Sequence, residues 1–434
     1  MRRRTFLAAS AAALACKRKA PTITGSIQGP SMNLGHRLRD PNPPEATSFE
    51  KVGVVIVGGG VAGLSAAWRL AGAGFTDFRV LEMEPEVGGT AKGGRNGVSA
   101  YPWAAHYVPA PTQENPAMVR LLQQAGVIEG VDAQGEPEFG EQFRVRAPEE
   151  RIFAHGQWWE GLYLRAGATP EDERQYHAFF QKIDAWSKWK DARGRRAFAI
   201  PRAKGSDDPA VRALDALSFK TWLDQRGFTS ERLLWLLDYA CRDDFGARLE
   251  TTSAWAGLFY FAARKQGPGE DSRPVLAWPE GNAFLVEHLR SGLSDRIRTG
   301  VAVSKIRPVG SKHIDLHGLD ATSGSTLGYR AQRVIFAGPQ YVAGHLIPDR
   351  PLPSGVFSQS PWLVVNLTLR DRPKGGGFPL AWDNVLRDSD SLGYVVATHQ
   401  SLQDYGPTVW TWYHPFPEPD VRGTASRGVR DCWG

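Results

Sequence analysis

Apolar and polar positions fall into distinct regimes along the chain. From Lys51 to Val57 the run KVGVVIV is apolar after its first residue, the pattern of a strand buried on both faces of a parallel sheet. An alanine-rich amphipathic pattern then predicts a helix from about Ala62 to Ala73, and Phe78-Arg79-Val80-Leu81 a second strand. Between 170 and 265 the spacing is helical. There SFKTWLDQRG runs from the N-cap candidate Ser218 to the stop Gly227, and TSERLLWLLDYACRDDFG ends at Gly246. Beyond 295 strand patterns return in IRTGVAVSKIRPV, in RVIFAGP, where Val334 to Phe336 is followed by a tight exit at Ala337-Gly338-Pro339, and in SPWLVVNLTL, LGYVVATHQ and TVWTWYHPF. Periodicity alone gives a mixed α/β chain with a helical insert.

The break between the first strand and helix changes this picture. Gly58-Gly59-Gly60-Val61-Ala62-Gly63 fits G-x-G-x-x-G. The first glycine permits a tight turn, the second admits a pyrophosphate close to the main chain, and the third seats the helix on the strand. Gly58, Gly60, Ala62 and Gly63 are therefore candidate nucleotide contacts, with the free N–H groups and positive dipole end of the helix facing the phosphates. Glu82, at the tip of the second strand, is placed to accept both ribose hydroxyls and to repel a 2′-phosphate.

Composition adds mainly exclusions. The chain has 434 residues, 42% hydrophobic and 23% charged, enough for two or three domains, and no apolar run of membrane-spanning length. Arg2, Arg3, Arg4, Lys17, Arg18 and Lys19 account for the whole net charge of +6, so the basic surplus gives no argument for nucleic acid. Those residues flank MRRRTFLAASAAALAC, which has a charged start, a short apolar core and an A-x-A end at Ala13-Leu14-Ala15. Arg3-Arg4-Thr5-Phe6-Leu7 resembles the signal read by the twin-arginine export machinery. Residues 1–15 are thus expected to be a leader and the protein periplasmic. Cleavage before Cys16 occurs with simple processing or with lipidation of that cysteine as a membrane anchor. Cys241 and Cys432 complete a set that makes neither a disulfide framework nor a metal site. Polar, proline-rich residues 16–50 read as a tether.

After Glu82, EMEPEVGGTAKGG carries the doublet Gly88-Gly89 and then Thr90. On these residues the chain resembles the flavoprotein superfamily of amine oxidases and phytoene-type desaturases, in which an acid, a spacer and a glycine pair continue the FAD contacts. An NAD-dependent dehydrogenase lacks that extension. The resemblance implies FAD as cofactor and Gly88, Gly89 and Thr90 as contacts. Thr90 stands where the family often has arginine, a role open to Arg95 or Lys92. AWPEGNAFLVEHL resembles the family's turn into a helix, with Asn282 where a second glycine is common. Val301 or Val303 would lie against the adenine, and Ala337 is a further candidate FAD contact. The implied architecture is α/β. It combines a Rossmann-like FAD-binding domain in discontinuous segments, 51–110 and 270–345, with an α+β substrate domain, 111–269 and 346–421, that contains the helical insertion.

The same resemblance sets Ala104-Ala105 of YPWAAHYVP against the flavin ring, with His106 next to them. His106 reads either as a ligand of flavin or substrate, with a catalytic proton-transfer role, or as a structural histidine bonded to backbone. DYACRDDFG gathers Asp238, Arg242, Asp243 and Asp244. Arg242 and Asp243 line a polar pocket for a cationic substrate on one reading, and belong to a solvated, salt-bridged helix end on the other. Trp410, Trp412 and His414 share a strand face, compatible with the aromatic walls that flank flavins in amine oxidases. The implied function is an FAD-dependent oxidoreductase passing a hydride equivalent from an unidentified small molecule to flavin N5. The rival is a non-catalytic dinucleotide-binding protein of the same fold, as Rab GDP-dissociation inhibitors are. That rival gains weight from the tail: the superfamily closes its FAD site with a C-terminal glycine-rich segment and a helix, whereas residues 422–434 are short, polar and irregular. Either another element replaces that piece, or the chain is a shortened product of a longer enzyme; the abrupt change after Val421 favours the second, which puts catalysis in doubt while leaving the grip on the ADP half.

Overall fold

The computed structural model describes residues 23–265, 274–348, 350, 359–401 and 404–417. The leader, Cys16, Cys432 and the tail 422–434 lie outside the described residues.

The opening strand Glu50–Val57 is buried from Val52 onward except at its polar start. It lies between Phe78–Leu81 and Thr326–Phe336, parallel to both, with Val57 opposite Leu81 on one side and Phe336 on the other. Ile297–Arg298 extends the sheet beyond Phe78–Leu81, and the antiparallel strands His313–Asp320 and Val301–Val309 complete the other side. Both faces are covered, which is why the strand is apolar throughout rather than alternating. Val54, Ile56 and Val80 pack on Ala67 of the helix Val61–Gly72. Val55, Val57 and Leu81 pack instead with Val303, Leu316 and Tyr329. Strands far apart in sequence thus meet at the glycine turn.

A second sheet runs in the order Trp362–Leu369, Thr408–Pro415, Gly393–Val396, Asp383–Leu386, Glu150–Ala154, Gln157–Glu160. Its mixed pairing includes a parallel contact in which Asp383 lies opposite Glu150. The insertion contributes the helices Pro170–Lys188, Phe219–Asp224, Glu231–Phe245 and Ala254–Ala262. Thr169 and Asp172 form a capping box, and the Ser218, Ser230 and Ser253 hydroxyls each accept an amide hydrogen bond from the first turn they precede. Gly246, at φ 59°, closes the third helix in the left-handed conformation. Phe179, Phe219, Trp222, Leu233, Leu237 and Leu258 form the core of the insertion. The face of Glu231–Phe245 bearing Trp235 and Tyr239 packs on the second sheet through Trp382, Val395 and Tyr413.

The expected tether departs from its sequence reading. From Ser31 the chain folds back as a short helix, Met32–Arg37, and its Leu38 packs into the core that contains Val303. Further on, the Ala46 amide donates to His317 Nδ1 at 3.0 Å. A Cβ on Gly328 would lie 2.1 Å from the Ser48 carbonyl oxygen, so the sheet leaves a groove for the segment. A polar, proline-rich stretch can run extended in solvent or along a sheet with equal ease; here the partners supplied by the sheet decide it.

Candidate functional site

The glycine turn is built by close main-chain approach. Gly58 has φ 105°, and a Cβ there would sit 3.1 Å from the carbonyl carbon and oxygen of Ala337. A Cβ on Gly63 would lie 1.8 Å from the Gly58 oxygen, so the helix rests directly on the turn. Gly88 and Gly89 adopt φ 118° and 56°. The Gly88 amide donates to the Gly59 carbonyl at 2.8 Å, and a Cβ on Gly89 would fall 3.3 Å from Gly60 Cα. Turn and doublet therefore face each other with no side chain between them. The helix start has no side-chain cap, and Val61 and Ala62 are exposed at its mouth.

Glu82 points into this cradle. Its Oε2 accepts from the Gly59 amide at 2.6 Å and its Oε1 from the Glu84 amide at 2.8 Å. A cradle of bare main chain, uncapped helix N–H groups and an oriented carboxylate fits the diphosphate and ribose of FAD. Thr90 is exposed beside the doublet, Val303 is buried on the neighbouring strand, and the Ala337 amide donates to Val57 O at 2.8 Å. If Glu82 is the ribose contact, Glu82→Ala should cost most of the bound flavin, about tenfold in retention for one lost pair of charge-assisted hydrogen bonds. Asp243→Ala should retain it, and absorbance of the released flavin per protein decides between them; equal retention in the two variants would remove the assignment.

The doublet leads into the stretch expected beside the flavin ring. The Trp103 amide donates to Lys92 O (2.9 Å), Ala105 to Thr90 O (3.2 Å) and Asn282 to Ala105 O (3.0 Å). The Tyr413 hydroxyl donates to Ala104 O at 2.7 Å. Asn282, in place of a glycine, spends its amide group on Tyr107 O at 3.1 Å. His106 donates weakly from Nδ1 to Ala104 O at 3.4 Å and is ringed by Tyr413, Tyr107 and Trp382, with centroids 4.9, 5.0 and 5.5 Å away. Burial pushes its pKa down to about 4, a shift only partly opposed by the Ala104 bond, so the ring is neutral at neutral pH.

Facing this stretch is a carboxylate cluster. Glu150 and Asp383 are direct partners across parallel strands, which puts both side chains on one face. The Tyr239 hydroxyl donates to Asp383 Oδ2 at 3.3 Å. Asp243 lies one helical turn beyond Tyr239 and so shares its side of the helix. Desolvation first, and the neighbouring negative charges second, raise Asp243 and Glu150 each to about 7 and Asp383 well above the carboxylate range. Water still reaches Asp243 and Glu150, although the surrounding protein desolvates both carboxyls. Asp244 pairs with Arg264 at 2.8 Å. The same guanidinium donates to the Tyr107 hydroxyl at 3.3 Å and lies 4.0 Å over the Tyr260 ring.

Arg242 stands apart from its neighbour. Its Nε donates to Asp238 at 3.0 Å and its Nη1 to the Asp390 carbonyl at 2.9 Å, with the side chain only 4% exposed. Adjacent helical residues point about 100° apart, so Asp243 turns towards Glu150 and Asp383 and Arg242 ties the helix to a loop. Trp410 and Trp412 also diverge from the expected wall. They share a face, Trp410 stacked on Tyr394 at 4.0 Å and Trp412 on His414 at 5.4 Å. Tyr413, next after Trp412, points the other way, to Ala104. Strand alternation therefore puts the two indoles on the far face, with Trp158. Glu150, Asp383 and Tyr413 escaped the sequence reading, because only strand register brings them to one place.

A family model for flavin-containing amine oxidoreductases matches residues 61–363. No sequence among curated proteins matches the chain. Among solved structures, putrescine oxidase bound to putrescine superposes with a TM-score of 0.60 at 16% identity, over 85% of this chain and 76% of that one. Cyclohexylamine oxidase from Brevibacterium oxydans gives 0.57 at 13%, over 84% and 75%. A CLA-producing fatty acid isomerase from P. acnes gives 0.56 at 17%, over 85% and 78%. At such identities the likeness is one of fold. The family match spans most of the chain and coincides with the FAD-fitting cradle: the protein belongs to the flavin-containing amine oxidoreductase family and is an FAD-dependent oxidoreductase.

Proposed function

We propose that the protein oxidises an amine bound as a cation between the Ala104–Tyr107 stretch and the acids Glu150, Asp243 and Asp383. The observation that carries this reading is the surplus of carboxylate over base: Asp244 is matched by Arg264, whereas desolvation raises the other three and negative neighbours add to it, Glu150 and Asp243 on Asp383, Asp244 and Glu150 on Asp243, and Glu149 on Glu150. A cation held among these acids would relieve that repulsion. Two proteins of this fold carry amine substrates in their names, putrescine oxidase and cyclohexylamine oxidase, which supports the same substrate class.

Bound FAD supplies an acceptor for a hydride equivalent from the carbon next to the substrate nitrogen. The chain's own contribution is position and polarity. Ala104 and Ala105 offer small side chains where a planar ring must approach. Tyr413 and Asn282 fix that stretch through its carbonyls. His106, neutral at neutral pH, fills the space between aromatic rings with its Nδ1–H turned to Ala104 O, and is not charged to act as an acid. The carboxylates hold the ammonium group and accept its proton as it is oxidised. The leader pattern supports action after export.

Anaerobic mixing of flavin-loaded protein with 1,4-diaminobutane, cyclohexylamine and an uncharged alcohol tests the reading. Loss of the 450-nm flavin band with the amines and not with the alcohol is the expected result. Flavin that dithionite bleaches but no amine does would favour the non-catalytic dinucleotide binder.

A further inference from the structure

We infer that the N-terminal segment Ser31–Leu38 is a working part of the FAD site, and that it acts through Glu84, a positioning residue that it pins away from the diphosphate. Three bonds fix Glu84. Its amide donates to Glu82 Oε1 at 2.8 Å, its carbonyl accepts from the Gly300 amide at 3.1 Å, and its Oε1 accepts from the Ser31 amide at 2.8 Å. The last bond crosses from the N-terminal strap to the loop that follows the ribose-facing acid. The strap is anchored independently of it, by Leu38 in the core beside Val303, by the Ala46–His317 bond and by the Lys305–Glu45 ion pair.

The physical need for such a pin lies in charge. Glu82 serves the ribose hydroxyls, but Glu84, two residues on, is a second carboxylate at the edge of a crevice that must admit a diphosphate. Left free, it would swing over the helix mouth and oppose the phosphates; two like charges several ångströms apart at a protein surface repel enough to weaken binding about tenfold. Held by the Ser31 amide, its charge is fixed in place and partly satisfied. The strap thereby makes an acid-rich loop compatible with an anionic cofactor, and does so whatever substrate the enzyme oxidises.

Ser31 has φ −64°, a value proline adopts without strain, so Ser31→Pro deletes the donor N–H and leaves the backbone path intact. Ser31→Ala keeps the N–H and loses only the hydroxyl that caps Leu34. Glu84→Gln keeps an acceptor oxygen without the charge. FAD release rate, ADP affinity of the apoprotein and apoprotein Tm are to be measured for each. Ser31→Pro should release FAD about tenfold faster and bind ADP about tenfold more weakly, by the repulsion above. Ser31→Ala and Glu84→Gln should stay within about threefold of wild type. Glu84→Gln placed in the Ser31→Pro background should restore retention, because the charge that needed pinning is gone. Unchanged FAD release and ADP affinity in Ser31→Pro overturn the inference. So does a double variant no better than Ser31→Pro, or a loss of retention that tracks a fall in apoprotein Tm; either assigns the strap a purely structural role. If Ser31→Pro does not fold, Asp at position 84 decides: Glu84→Asp, too short to reach the Ser31 amide, should reproduce the faster release.

Discussion

Gly63→Ala is expected to yield folded protein that carries at most about a tenth of the wild-type FAD, measured as 450-nm absorbance per protein after purification. The added methyl would sit 1.8 Å from the Gly58 carbonyl oxygen, little more than half an ordinary carbon–oxygen contact. The oxygen belongs to main chain that is itself pressed against Ala337, so the turn has nowhere to retreat. The helix must move instead, by more than an ångström, and carry its uncapped N–H groups away from the pyrophosphate. Because those groups act through short, oriented hydrogen bonds and a dipole that fades within one turn, a shift of that size removes most of their effect. Gly59→Ala should fall between this variant and wild type, since its methyl meets the Val87 side chain at 2.8 Å and the Glu82 carboxylate at 3.0 Å, groups able to give way. Full flavin occupancy in Gly63→Ala would mean that the turn does not grip the cofactor.

The contrast between these glycines and the carboxylate cluster shows what a sequence discloses. The turn, the helix start and Glu82 lie within one βαβ stretch, where spacing fixes geometry; every requirement of the phosphate site can be read from residue type and order. Glu150 and Asp383 are far apart in the chain and meet only because two strands pair in parallel with Asp383 opposite Glu150. Nothing local in EERIFA or AWDNVL fixes that register. Asp243 is legible in the sequence as one of several charges at a helix end, but the helix's rotation about its axis, set by Trp235 and Tyr239 packing on the second sheet, decides that it and not Arg242 joins Glu150 and Asp383. Trp410 and Trp412 were placed together correctly by alternation, yet alternation leaves open which face is inward; the Tyr413–Ala104 bond answers that. The strap is the converse case. Its composition suits solvent, and its place on the sheet depends on partners such as His317 and Gly328 more than two hundred residues away.

Amine oxidation at low substrate concentration should fall by at least about tenfold between pH 8 and pH 6, and this limb should shift or flatten in Asp243→Asn and in Glu150→Gln. Both carboxyls are raised from 3.8 and 4.5 to about 7, so they lose their charge, and with it their hold on a cation, as pH falls through neutrality. His106 titrates near 4 and cannot produce such a limb, and Arg264 stays charged throughout. The acids share one field with Asp383, so the limb belongs to the set and not to a single residue. Stability carries the opposite sign. A carboxyl whose folded pKa exceeds its unfolded value contributes stability that is complete below about pH 4 and is lost as pH rises through about 7. Substrate-free protein should therefore gain Tm in Asp243→Asn at pH 8 and little at pH 5. A dication such as 1,4-diaminobutane should raise the wild-type Tm more at pH 8 than at pH 6, because only the ionised cluster attracts it. A ligand-induced Tm shift that is equal at the two pH values, with an unmoved limb in both variants, would detach the three acids from the substrate and leave their mutual repulsion without a counterion.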